Sequence, residues 1–187
     1  NTDTQSDVKG GVAFCGMARV ELTGGSCAAD GDRLVVRGAD EAVIYYDLNT
    51  DFCHKDPLAV TQQHIDAAIA MKYADLRAAH IADFSNLFSR VSLTLGSDSL
   101  SSLPTDVRQK RLAEGANDPG LAALFMQYGR YILISGSREN SPLPLNLQGN
   151  WNDNLACNVG WNCDYHLDSN THQNYWNANV CNLPQCN

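Results

Sequence analysis

Residues 142–187 read PLPLNLQGNWNDNLACNVGWNCDYHLDSNTHQNYWNANVCNLPQCN. From Asn146 to the last residue, 42 positions hold all three tryptophans, twelve asparagines and four of the seven cysteines, with no Lys, Arg or Glu. The only charges there are Asp153, Asp164 and Asp168. An amide donates to one hydroxyl and accepts from another, and indole and phenol rings add apolar faces with a polar tip. That combination suits a neutral, hydroxyl-rich ligand such as a sugar and not a phosphate. Asn is also a turn residue, so a plain loop is the competing reading. Against it stand the aromatics at 151, 161, 165, 175 and 176, and the alternation of Leu143, Leu145 and Leu147, which reads as an extended segment entering a core.

Composition narrows the partners. The 187 residues carry a formal net charge of −8 and 44% apolar residues. An acidic chain lacks the basic patches that recruit nucleic acid or anionic membrane, and no run approaches the roughly 18 apolar residues of a span. Neither partner is expected. Seven cysteines without tight paired metal spacing suggest disulfides and a secreted protein. Cys157, Cys163, His166, Cys181 and Cys186 match zinc spacing poorly, so no metal and no cofactor is expected. An odd cysteine is left over. The chain begins at Asn1 without a signal segment, which reads as a processed product or a piece of a longer chain.

Taken in order, residues 12–22 read as a strand, followed by turns at 23–26 and 30–32. Arg33–Arg37 and Ala42–Leu48 read as second and third strands. Cys15 and Cys27 flank the first turn and are candidates for a bridge across it. Three strands cannot hide both faces, which implies a larger β-sandwich. Ile65, Ile69, Tyr73 and Leu76 then mark a helical stripe, with Thr61 as its N-cap, running past a possible break to Leu87. Val91, Leu93 and Leu95 alternate, which predicts a returning strand. Residues 96–104 (GSDSLSSLP) form a Ser-rich joint, and 105–114 a short exposed helix. Asp118 caps a helix that begins at Pro119 and looks buried on most sides, with Leu121, Leu124, Phe125, Tyr128 and Ile132 on one face.

In His166-Leu167-Asp168-Ser169-Asn170 polar residues alternate. An extended backbone would put His166, Asp168 and Asn170 on one face, aimed at sugar hydroxyls or a water. The other reading has Asp168 capping a helix over 171–180.

Three motifs, QYGRYILISGSR (127–138), LPLNLQGNWND (143–153) and DYHLDSNTHQNYWNANVCNLP (164–184), resemble glycoside hydrolase family 95, the inverting α-L-fucosidases and related α-L-galactosidases. LRAAHIADFSNLFSRVSLTLG (76–96) extends the resemblance, which covers about residues 10–187. It implies an α+β multidomain fragment. Residues 1–95 would be the end of an N-terminal β-sandwich with an associated helix, 96–117 a helical linker, and 118–187 the first helices of an (α/α)6 barrel. The substrate implied is a fucosylated glycan, and the implied partner is the remainder of the same enzyme. Two family asparagines that position the attacking water match Asp168 and Asn170, the first departing from the pattern. His166 matches a sugar-contacting histidine, and Asn150 and Trp151 join it as expected substrate-binding residues. The family's general acid and base match nothing here, so the chain alone is expected to be inactive. The alternative is a truncated, non-catalytic carbohydrate-binding or structural secreted protein.

Overall fold

The structure, a computed structural model, describes residues 11–149 and 164–187. The chain forms two compact units, residues 1–80 and 81–187.

The first unit is a long antiparallel ribbon with one helix on it. β1 (Phe14–Thr23) pairs with β4 (Glu41–Thr50), and β2 (Ser26–Asp30) pairs with β3 (Arg33–Arg37). Among the described residues four strands thus form where three were expected. The two ladders are successive stretches of one hairpin. Between them Gly24 and Gly25 on one arm oppose Gly38, Ala39 and Asp40 on the other. The unequal count is a bulge, which bends the ribbon and shifts its register. Gly25 sits at φ +66°, and a Cβ there would collide with the Arg37 carbonyl and the Ala39 amide. Only glycine fits.

The same geometry rules out the Cys15–Cys27 bridge. Cys15 pairs with Asn49 near the open end, and Cys27 pairs with Val36 beyond the bulge. The eight residue-to-residue steps from Cys15 to Thr23, where the bulge begins, span roughly 26 Å at ~3.3 Å each, whereas bridged Cα atoms lie within about 7 Å. All five described cysteines are free thiols: Cys15, Cys27, Cys53, Cys181 and Cys186. Cys157 and Cys163 lie outside the described residues.

Helix α1 (Pro57–Met71) packs on β1 and β4. Its N-cap is Asp56, whose carboxylate accepts the Ala59 N–H at 3.0 Å, ahead of Pro57. Thr61 is not the cap. It is fully buried one turn in, where its hydroxyl donates to the Pro57 carbonyl and receives the Asn49 amide. Lys72, at φ +67°, breaks the helix before α2 (Tyr73–Phe88).

The second unit is helical. α3 (Thr105–Ala113) and α4 (Pro119–Gly136) are joined by a buried ion pair. The expected short helix over 105–114 is thus present, though Arg108 on it is buried. α4 begins where the sequence predicts, with the Asp118 carboxylate accepting the Leu121 N–H at 2.8 Å. The fork of Arg108 closes on both Asp118 oxygens, at 2.9 and 2.8 Å. This pairing holds the Asp118 carboxyl down at about 2, and the Leu121 N–H adds to the effect. Asp98 also receives Arg108, at 3.0 Å, which pins the Ser-rich joint. Gly120 is required beside it, because a Cβ there would strike the Asp98 carboxylate.

α4 is not buried on most sides. Leu121, Arg130, Leu133 and Ile134 face inward, while Leu124, Phe125 (77% exposed) and Tyr128 face out. The stripe is rotated because the residue at its centre is a cation. Arg130 is fully buried and donates to the carbonyls of Leu87, Phe88 and Val91 at 3.2, 2.9 and 2.8 Å. Its guanidinium lies 5.0 Å from the centroid of the Phe88 ring. Free carbonyls at a helix C-terminus attract cations, so Arg130 caps α2 from another helix. Residues 91–95 are not a strand. Val91 and Leu93 do turn partly inward, but the Val91 carbonyl is taken by Arg130 and Gln127 side chains. α5 (Asn170–Val180) and a 3-10 turn over Pro184–Cys186 complete the unit. Its core joins Leu87, Leu133, Ile134, Leu145, Ala178 and Leu183 with the Cys181 and Cys186 thiols.

Candidate functional site

The amide-rich region is built around α5. Tyr175, on α5, turns inward: its hydroxyl accepts the Leu145 N–H at 2.9 Å and shares a hydrogen bond with Ser137 at 2.9 Å. The neighbouring Asn174 amide donates to the Asn146 carbonyl at 2.7 Å. These bonds draw the segment after α4 along α5, and Leu145 is 3% exposed as a result. The alternation of Leu143, Leu145 and Leu147 thus marks real core entry at its middle member. Tyr175 is a clamp and not a free sugar platform. Trp176, at 69% exposed, and Tyr165 keep open faces.

One bond further, the Leu147 N–H donates to the Asp164 carbonyl at 3.1 Å. This joins residues 145–147 to the stretch that carries the remaining candidates.

His166, Asp168 and Asn170 do not share an extended face. Residues 167–169 form a turn, closed by the Thr171 N–H on the His166 carbonyl at 2.9 Å, and Asn170 is already the first residue of α5. Asp168 does not cap the helix either. Ser169 holds the cap position, without a side-chain cap bond. A run of Asp, Ser and Asn favours local turns over continued extension, and the turn replaces the period of two.

Within this turn Asp168 is exposed, while Asn170 and His166 are half-buried. The His166 Nε2 lies 2.6 Å from the Asp164 Oδ1. Asn150 and Trp151 lie outside the described residues. An amide, an imidazole and a carboxylate thus present donors and acceptors from one short turn, with no lysine or arginine in the stretch. Such a surface is matched to neutral hydroxyls.

The sequence alone missed Asp164 as a partner of His166. The signal was present as two polar residues with one between them. A cleft of about 410 Å³ opens beside the first turn of α5, lined by Ser137, Arg138, Thr171, His172 and Tyr175 among others. None of His166, Asp168 and Asn170 lines it. We place the candidate site at the turn, where the amide and imidazole groups are, and not in this cleft. Arg138 at its rim is committed to Asp83 through two bonds of 2.9 and 2.7 Å. This pairing pushes the Arg138 pKa further up.

Among the described residues no group of three His, Cys, Asp or Glu is arranged to hold a metal ion. No described helix is long and apolar enough to cross a membrane.

Comparison with known proteins agrees with the motifs. Residues 72–187 match the glycosyl hydrolase family 95 catalytic domain. The chain belongs to glycosyl hydrolase family 95. It is 30% identical to alpha-L-fucosidase 2 of Arabidopsis thaliana, over 99% of this chain and 23% of that protein. It is 36% identical to a probable alpha-fucosidase A of Aspergillus oryzae, over 72% of this chain and 19% of that protein. A probable alpha-fucosidase A of Aspergillus niger is 31% identical over 67% of this chain and 15% of that protein. The chain therefore spans less than a quarter of the length of the curated relatives it matches.

Proposed function

We propose that this chain is part of an α-L-fucosidase-like glycoside hydrolase, and that the turn at 164–170 is one wall of its sugar site. The observation that carries this is the turn itself, with His166 held by Asp164 beside Asn170 in a stretch free of cationic side chains. Family membership and the names of the three relatives support the substrate class.

The proposed chemistry is inverting hydrolysis of a terminal α-L-fucosyl or related L-sugar residue. Inversion needs a general acid and a general base about 6.5–9.5 Å apart, with the attacking water between them. Asp164 is engaged with His166 and Asp168 is exposed. Both catalytic carboxyls are assigned to residues outside 1–187. Asn170 and Asp168 would orient the water and its base, and His166 would bind a sugar hydroxyl. The larger architecture is part of the same proposal: the ribbon as an edge of a β-sandwich, and residues 118–187 as the opening helices of an (α/α)6 barrel. The apolar outer face of the ribbon supports the first of these.

The test is proton NMR of α-L-fucoside hydrolysis by the full natural protein. Initial release of β-L-fucose is expected, with no turnover by residues 1–187 alone. Release of the α-anomer would overturn inversion. Failure to release fucose would overturn the substrate class. Turnover by the isolated chain would overturn the assignment of the carboxyls.

A further inference from the structure

Asp164 meets the candidate residues twice. Its carbonyl accepts the Leu147 N–H at 3.1 Å, which fixes its main chain to the segment that α5 clamps. Its carboxylate oxygen Oδ1 lies 2.6 Å from His166 Nε2, at ion-pair distance. The main chain of His166 is held from the other side by the Thr171 N–H. His166 is therefore anchored through its backbone, with one ring nitrogen set against a carboxylate, while its side chain stays 37% exposed.

An ionised carboxylate only accepts hydrogen bonds. A neutral His166 facing one must carry its proton on Nε2, and the second nitrogen is then set by the first. Nδ1 is left as an acceptor. Amide side chains nearby can donate or accept by turning over, but an imidazole locked at Nε2 cannot. It accepts a hydroxyl hydrogen and rejects a group that can only accept.

We propose that Asp164 is a positioning residue that locks His166 in the Nε2–H tautomer, so that Nδ1 accepts a hydrogen bond from one sugar hydroxyl. The proposal rests on the carbohydrate reading of the site. The tautomer is a property of the protein alone and can be tested separately.

The experiment is long-range ¹H–¹⁵N NMR on the full natural protein labelled with ¹⁵N-histidine, at about pH 8, where an ordinary imidazole is neutral. The His166 signals are identified by their loss in His166→Gln. The Nε2–H tautomer is expected in the parent protein, and a mixture in Asp164→Ala. A proton on Nδ1 in the parent, or no change in Asp164→Ala, overturns the proposal whatever the activity.

Kinetics give the second arm. Asp164→Ala is expected to raise KM about tenfold with kcat changed less than about threefold, the size of one lost hydrogen bond. Asp164→Asn keeps an accepting oxygen and is expected to recover most of the loss. In a His166→Gln background Asp164→Ala is expected to add nothing, since coupled residues are not additive. Additive losses would make Asp164 a structural residue and overturn the proposal. A parent protein with no activity on L-fucosides defeats the proposed function, while the tautomer still decides Asp164.

Discussion

In residues 81–187 the surfaces that meet are apolar, with Leu133, Ile134, Leu145, Ala178 and Leu183 packed together. In residues 11–80 the ribbon face that α1 covers is mixed, with Met17 and Val43 among polar residues. It carries Arg19, Glu21, Asp47 and Asn49 around Tyr45, and it is joined to α1 by Arg19–Asp66 and His64–Asp47 contacts, both 2.8 Å. The opposite face, with Phe14, Ala18, Val20, Ile44, Tyr46 and Leu48, is apolar and mostly exposed. A strand alternates its side chains between faces, so a ribbon with one mixed and one apolar face has more apolar surface seeking burial on the second. In this unit it is the side without a helix. The helical unit has its own core, and the ribbon unit displays half of one.

The same contrast appears at two helix starts that share an Asp-Pro dipeptide. Asp56 and Asp118 each cap the amide three residues on. Asp56 does so at the surface. Asp118 does so buried, inside the fork of Arg108.

The comparison can be broken most forcefully at Arg130. Arg130→Ala would leave the Phe88 carbonyl without its partner, take one of two partners from the Leu87 and Val91 carbonyls, and empty the volume of a fully buried side chain. At about 1–3 kcal/mol for the orphaned carbonyl and roughly 2–5 kcal/mol for the emptied volume, the helical unit should lose upwards of roughly 3 kcal/mol. Native-state hydrogen exchange of α4 amides would measure it. A loss under about 1 kcal/mol would show that Arg130 is not the cap of α2. Next comes the pair Ile134→Ala and Ile44→Ala. The first should cost roughly 2–4 kcal/mol by opening a cavity. The second, on a side chain 69% exposed, should cost under about 0.5 kcal/mol in the isolated chain. A large cost for Ile44→Ala in the full protein alone would mean that further polypeptide covers the apolar face.

Acid should separate the two Asp-Pro starts. A carboxyl whose folded pKa lies below its unfolded value near 3.8 stabilises the fold above that value. The contribution fades as pH falls toward the folded value of about 2. α4 should therefore lose protection between about pH 4 and pH 2, and Asp118→Asn should flatten that dependence. Exchange of the Leu121 amide across this range is the readout. A modest effect is expected of Asp56→Ala, about 1 kcal/mol for an exposed N-cap. It should appear as fraying of the first turn of α1 in circular dichroism.

Much of this was legible in the residues. Asp118-Pro119 announced α4 because cap and first-turn proline are local chemistry. The identical signal at Asp56-Pro57 was hidden behind Thr61, another capping residue type. The strand Ser26–Asp30 has little β propensity and forms because the hairpin carries it. Val91, Leu93 and Leu95 alternated truly, but side chains of α4 took the bonds that a neighbouring strand would have made. The stripe on α4 was misplaced because a buried arginine breaks the rule that charge faces water. At the candidate site the composition pointed to neutral hydroxyls, and the proposed function rests on that reading. The geometry was not legible, since Asp, Ser and Asn suit an extended wall and a tight turn equally well. Only the backbone bond from Thr171 to His166 decides between them.

The most direct measurement is the kcat/KM of the full natural protein on an α-L-fucoside, before and after Asn170→Ala. The turn at 164–170 as a sugar-binding wall predicts a loss of about a hundredfold or more, on the scale of a group that orients the attacking nucleophile, with unchanged circular dichroism. A variant that keeps the parent value would contradict it.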